Sequence, residues 1–152
     1  MAQAKHPDVL WLNGKLVPWE KATMHMTAIG AGATSIFEGI RGYWNIEQEQ
    51  LYIFHLDGHL ERFYESMKIM GMETELTKEQ MKSGVLELLR AMGAKKDHYI
   101  SPRAFFSERA GLPVGTAGSG AATVLIHARP RRSILGSDTA MKVCVSSWTR
   151  IS

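Results

Sequence analysis

The spacing of apolar positions changes along the chain, and each spacing predicts a different element. Residues 9–12, then Asn13-Gly14, then residues 15–17 predict a tight hairpin, because Asn-Gly supplies the two positive φ values of a type I′ turn. Pro18 has no amide to give a ladder and should end the second strand. Residues 27–35, TAIGAGATS, are small and glycine-spaced, which suits a close-packed turn leading into a strand. Residues 36–44 and 51–54 predict a second hairpin around the polar segment NIEQEQ. Leu60, Phe63, Tyr64, Met67 and Met70 then recur at three and four, the spacing of one helical face, with Asp57 as N-cap and Gly71 just past the end. A second helix has Thr77 and Gln80 as a capping box, a stripe of Met81, Val85, Leu88, Leu89 and Met92, and Gly93 as its stop. Residues 98–107, 121–128 and 141–147 return to strand patterns, with the aperiodic glycine-rich loop RAGLPVGTAGSG between the first two. Strands and helices mix without regular βαβ alternation, which predicts an α+β domain with no internal repeat.

The 152 residues allow one ordinary domain, and a chain of that size buries roughly 70% of its unfolded surface without needing disulfides. An apolar share of 45% and a charged share of 22% exclude a disordered tail, a collagen-like chain and a disulfide scaffold. Eighteen Lys and Arg against fifteen Asp and Glu leave +3, spread along the chain. Nucleic-acid binding needs a concentrated basic face, so none is expected. Cys144 is the only cysteine, which excludes an intrachain disulfide and a cysteine metal cage. The segment MAQAKHPDVLWLNGKL meets Asn and Gly too early for a signal-peptide core, and no apolar run approaches the ~20 residues of a membrane span. The expected compartment is the cytoplasm, with no membrane partner.

Several segments invite a chemical reading. GTAGSG at 115–120 looks like a phosphate loop, but a strand follows it rather than a helix, which favours a surface loop. RPRR at 129–132 reads as a loop bearing positive charge, either solvated or in contact with an anion. His55 and His59 are four apart, but Asp57-Gly58 at the helix start argues against metal chelation. Cys144 in a core strand is expected to be a buried, inert thiol. Tyr99, Ser101 and Arg103 share one face of their strand and could hydrogen-bond a carboxylate; an edge strand with a solvated face, which Pro102 would suit, explains them equally well. Arg62 lies beside the apolar stripe of its helix, as a snorkelling surface side chain or as a grip on phosphate.

The pieces Asn13-Gly14, Phe37-Glu38-Gly39-Ile40-Arg41, His59-Leu60-Glu61-Arg62 and Val145-Ser146-Ser147-Trp148-Thr149-Arg150 occur in one register. Together they resemble the start of the branched-chain aminotransferases, which are fold-type-IV pyridoxal-phosphate enzymes. The resemblance runs from about residue 9 to the end of the chain. It implies the small N-terminal α+β domain of that fold, an antiparallel sheet with two helices, over 1–130. Residues 131–152 would be the interdomain segment and first strand of a larger domain. The implied activity is amino-group transfer between a branched-chain-type amino acid and a 2-oxo acid, with pyridoxal 5'-phosphate as cofactor and a homodimer as the active unit. The arginine of the family's His-x-x-Arg motif contacts the cofactor phosphate and falls on Arg62. The pocket-lining Phe and Tyr fall on Phe37 and Tyr99.

Three departures touch substrate recognition. Ser101 stands where the family carries a dicarboxylate-recognising Arg, with Arg103 two positions on and on the same face. Gly32 replaces a pocket Tyr, and Arg129-Pro130-Arg131-Arg132 replaces an aromatic Pro-Trp-Gly stretch. These leave room for a D-amino-acid or (R)-amine transaminase, or an aminodeoxychorismate lyase, of the same fold. The family's Schiff-base lysine belongs to the larger domain, and none of the nine lysines here stands in a matching context. The resemblance therefore implies a catalytic lysine beyond residue 152 and a chain inactive by itself. A stand-alone, non-catalytic small domain is the remaining alternative.

Overall fold

A computed structural model describes residues 6–23, 35–106, 122–131 and 148–150. Among these residues there are eight strands in one sheet, every pair antiparallel, two α-helices and a short 3-10 turn at Trp19–Lys21. The strands are β1 (Val9–Leu12), β2 (Lys15–Pro18), β3 (Ser35–Phe37), β4 (Ile40–Asn45), β5 (Gln50–Phe54), β6 (His98–Phe106), β7 (Ala122–Pro130) and β8 (Trp148–Arg150). Their order is β2-β1-β7-β6-β4-β5-β8, with β3 also on β6. Helices α1 (Leu56–Ile69) and α2 (Lys78–Ala91) pack on one face of the sheet through Leu60, Phe63 and Met67 and through Met81, Val85, Leu88 and Leu89, as the spacing predicted, whereas Met70, expected on the same stripe, is 42% exposed just past the end of α1. This is the α+β arrangement expected.

The first hairpin turns at Asn13 and Gly14, with φ of 44° and 92°. The Asn13 side chain does more than turn the chain. Its Oδ1 accepts from the Val124 amide at 2.8 Å while its own amide donates to the Val124 carbonyl at 2.9 Å, which locks the hairpin onto β7. Behind it, Trp11 fits over Gly84 of α2, where an ideal Cβ would sit 2.3 Å from the indole. A glycine inside a helix lets strand and helix approach to that distance.

The strand expected over 36–44 is interrupted at Glu38-Gly39, and the cause stands across the ladder. Phe37 pairs with Arg103 and Ile40 with Ile100, so the register runs straight through the gap and sets Glu38 opposite Pro102. Glu38 donates its amide to the Pro102 carbonyl at 3.0 Å. Proline has no N–H to return the bond, and the ladder breaks there. Pro102 is nevertheless not on an edge. Strand β6 lies between β7 and β3/β4, which removes the edge-strand explanation for Tyr99, Ser101 and Arg103.

Two helix boundaries need comment. Asp57 is not the N-cap of α1: His55 is, in the left-handed region, with its ring over Gly58. Asp57 sits one residue into the first turn, where its charge suits the helix dipole and accepts from Lys82 Nζ at 2.7 Å. At α2 the capping box is formed, with Thr77 Oγ1 accepting from the Gln80 amide and Gln80 Oε1 from the Thr77 amide. Gly71 and Gly93 follow the helices with positive φ. Beyond these, β7 continues through Arg129 and Pro130, so RPRR begins in a strand rather than a loop. Segments 27–34, 109–120 and 141–147, with Gly32 and Cys144, lie outside the described residues, and among those described no helix is long and apolar enough to cross a membrane.

Candidate functional site

Strand alternation sorts the candidate residues onto two sides of the sheet. On the helix side is Glu38, 6% exposed. Arg62, one helical turn after His59, reaches it side-on. Its Nε donates to Oε1 at 2.7 Å and its Nη2 to Oε2 at 2.6 Å. His59 Nδ1 lies 3.0 Å from Oε2 and 3.3 Å from Arg62 Nη2, so the ring meets both members of the pair. The Arg62 hydrogen bonds hold the Glu38 carboxyl below its ordinary value of 4.5, against the opposing effect of burial. Arg62 is therefore not a plain snorkelling side chain: its side chain is 64% exposed, yet one edge of its guanidinium is fixed by a buried carboxylate.

The opposite face carries the other candidates. Phe37, Tyr99, Ser101 and Arg103 all project there from β3 and β6, as their alternation with half-buried Ile36 and buried Ile100 and Ala104 requires. The Tyr99 phenol lies over Gly39, where an added Cβ would come within 2.8 Å of Oη, so the glycine makes room for the ring. Arg103 stacks on Phe37, with Cζ 5.2 Å from the ring centroid. Ser101 is fully buried between Gly39 and His127, and its hydroxyl makes no hydrogen bond among the described residues.

Two further residues complete this face: Arg129, read from the sequence only as part of a charged loop, and His127, which the sequence did not single out. Arg129 pairs with Tyr99 across the ladder and stacks on its ring at 5.4 Å. His127 pairs with Ser101, and burial, followed by Arg103 and Arg129, pushes its pKa below the usual 6.5. The face thus presents two guanidiniums, each stacked on an aromatic ring, on either side of the half-buried His127 imidazole, with the Ser101 hydroxyl buried rather than presented. Such a surface suits an anionic ligand group. The signal that could have found His127 is strand alternation, which sets it on the face opposite buried Val124, Ile126 and Ala128. The pairing that brings it and Arg129 to Tyr99 and Ser101 needed the register.

Arg62 and the Phe37–Arg103 set do not converge on one point. They meet only through the chain, where Phe37 and Glu38 are neighbours facing opposite ways. Among the described residues no group of three or more His, Cys, Asp or Glu could hold a metal.

Residues 35–152 match the family model described as Amino-transferase class IV. The chain belongs to this family. A protein of Aquifex aeolicus (strain VF5), named "Probable branched-chain-amino-acid aminotransferase", is 33% identical over 144 residues, 94% of this chain and 46% of that protein. The PLP-form branched-chain amino acid aminotransferase of Thermobaculum terrenum superposes with a TM-score of 0.74 at 37% identity, covering 84% of this chain and 41% of its own. The T.th. branched-chain amino acid aminotransferase complexed with N-(5'-phosphopyridoxyl)-L-glutamate gives a TM-score of 0.72 at 34% identity, covering 85% and 42%. This class IV chain spans about half the length of the curated relatives it matches. The matched region of the class IV model contains Glu38, Arg62 and the whole Phe37–Arg103 face.

Proposed function

We propose that this chain is the small domain of a pyridoxal-phosphate-dependent aminotransferase that moves an amino group between a branched-chain-type amino acid and a 2-oxo acid. One observation carries the reading: an arginine fork braced by a buried carboxylate stands at the strand break from which the aromatic and cationic face begins. The neighbours named as PLP-form and as complexed with a phosphopyridoxyl-glutamate support the cofactor.

The residues present fit a phosphate. Arg62 Nη1 carries no bond to a described residue, and a guanidinium edge matches two phosphate oxygens. Bound pyridoxal phosphate would supply the electron sink that takes up charge from the substrate carbon. The work of this chain is binding and orientation. Arg62 holds the phosphate, Phe37 and Tyr99 wall the pocket, and Arg103 and Ser101 face the substrate. Arg103 here takes over from the Arg that Ser101 replaces. Residues 1–130 form the domain; 131–152 add β8 to its sheet against β5 and lead towards a larger one that supplies the Schiff-base lysine. Gly32 opens the pocket, and a cytoplasmic homodimer is the active unit.

A second reading has its own observation in favour. The buried hydroxyl of Ser101, which has no partner among the described residues, stands where the family carries a carboxylate-binding guanidinium, which suits a D-amino-acid or (R)-amine transaminase or an aminodeoxychorismate lyase. An amino-donor panel on the enzyme assembled with its larger domain separates the two. Turnover of leucine, isoleucine and valine supports the first reading; turnover confined to D-amino acids or (R)-amines establishes the second.

A further inference from the structure

We infer that Glu38 is a positioning residue for the cofactor phosphate, holding Arg62 so that its remaining guanidinium edge is presented in one orientation. The inference rests on the phosphate-binding role proposed for Arg62.

With its side chain 64% exposed, Arg62 is not held in place by packing. What restrains it is the pair of bonds at 2.7 and 2.6 Å to the two Glu38 oxygens. Glu38 in turn has little freedom. Its side chain is 7% exposed, its amide is bonded to Pro102, and the residues flanking the strand break are paired with β6 on both sides. His59, from the same helix as Arg62, binds the same carboxylate oxygen at 3.0 Å. The carboxylate is thus anchored in the sheet and met by two side chains spaced one helical turn apart. The side-on geometry uses Nε and Nη2 and leaves Nη1 without a bond among the described residues.

Charge and orientation act in opposite directions here. A carboxylate beside Arg62 cancels positive charge and by itself disfavours a phosphate. Holding a long side chain in its bound rotamer favours one, because the ordering cost is met before binding. The two effects predict opposite signs for a neutral replacement.

The test uses the enzyme assembled with its larger domain and freed of cofactor. Dissociation constants are measured for pyridoxal phosphate and for pyridoxal, which lacks the phosphate. The variants are Glu38→Gln, Arg62→Ala and the double replacement. Glu38→Gln should weaken pyridoxal phosphate about two- to tenfold, the scale of immobilising one flexible side chain. It should leave pyridoxal unchanged and add nothing in the Arg62→Ala background. Equal or tighter binding of pyridoxal phosphate by Glu38→Gln overturns the inference, as does an equal loss for pyridoxal or an undiminished loss without Arg62. If Arg62→Ala itself leaves pyridoxal phosphate affinity intact, the role of Arg62 falls first, and the inference with it. Should the Gln variant not fold, Glu38→Asp keeps the charge and withdraws the carboxylate by one methylene. It should lose part of the phosphate-specific affinity, and wild-type affinity there counts against the inference.

Discussion

Gly84→Ala is a substitution whose sign the tertiary structure reverses. In an exposed helix interior, replacing glycine by alanine stabilises by about 1 kcal/mol, because alanine loses less backbone freedom on folding. Gly84 is not exposed. Its ideal Cβ would stand 2.3 Å from Trp11 Cε2, 2.6 Å from Cζ2 and 2.7 Å from Nε1, and Trp11 is 2% exposed. The indole is seated between α2 and β7, where Trp11 pairs with Ile126. Restoring ordinary contact therefore needs a shift of about an ångström in a ring or a helix that is packed on every side. Overpacking of this kind costs about 3 kcal/mol at the upper end of its usual range. Set against the propensity gain, the expected net loss is about 2 kcal/mol, or about 4–8 °C in Tm for a chain of this length. Urea and thermal denaturation of the single variant measure it. The partner variant Trp11→Leu is destabilised by its own cavity, but adding Gly84→Ala in that background should be neutral or stabilising. A single Gly84→Ala variant more stable than wild type would refute the packing argument, because propensity would then outweigh the contact.

Arg103→Ala in the assembled enzyme should raise KM for a 2-oxo acid while leaving cofactor affinity unchanged; steady-state kinetics with a cofactor titration check both, and selective cofactor loss contradicts the pocket role. Thr77→Ala removes one half of the capping box and should cost about 1 kcal/mol, read as a lowered urea midpoint with unchanged slope. His127 has a folded-state pKa below 6.5, so the unfolded chain binds its proton first as pH falls. Its stabilising contribution is present above pH 6.5 and is lost as pH falls through the folded value. Replacing His127 by Gln should flatten that part of the stability profile, and an unchanged profile would mean the imidazole is not held neutral. Glu38 acts in a lower window: its depressed pKa stabilises above about 4.5 and that contribution disappears as pH falls through the folded value, a loss that Glu38→Gln should abolish.

Local chemistry was enough to write most elements from the sequence. The positive φ values of Asn13 and Gly14, the Thr77–Gln80 box and the three-four spacing of both helices depend on neighbours a few residues away. Those interactions are the same whatever the rest of the chain does. The motif Phe37-Glu38-Gly39-Ile40-Arg41 was equally plain as a string, but its meaning was not. Glu38 gains its role from His59 and Arg62, more than twenty positions on, and Gly39 gains its role from a phenol sixty positions away. Arg129 looked like part of a charged loop until pairing with Tyr99 drew it into β7. Asp57 looked like a cap until α1 began one residue before it. For Glu38, Gly39 and Arg129 the deciding contact crosses strands or layers, and its free energy exists only once the register has set the partners side by side. Sequence periodicity determined which face of each element is apolar. Tertiary structure alone decided which polar groups of different elements meet, because a hydrogen bond or a stacked ring depends on distances that neighbours in sequence do not set.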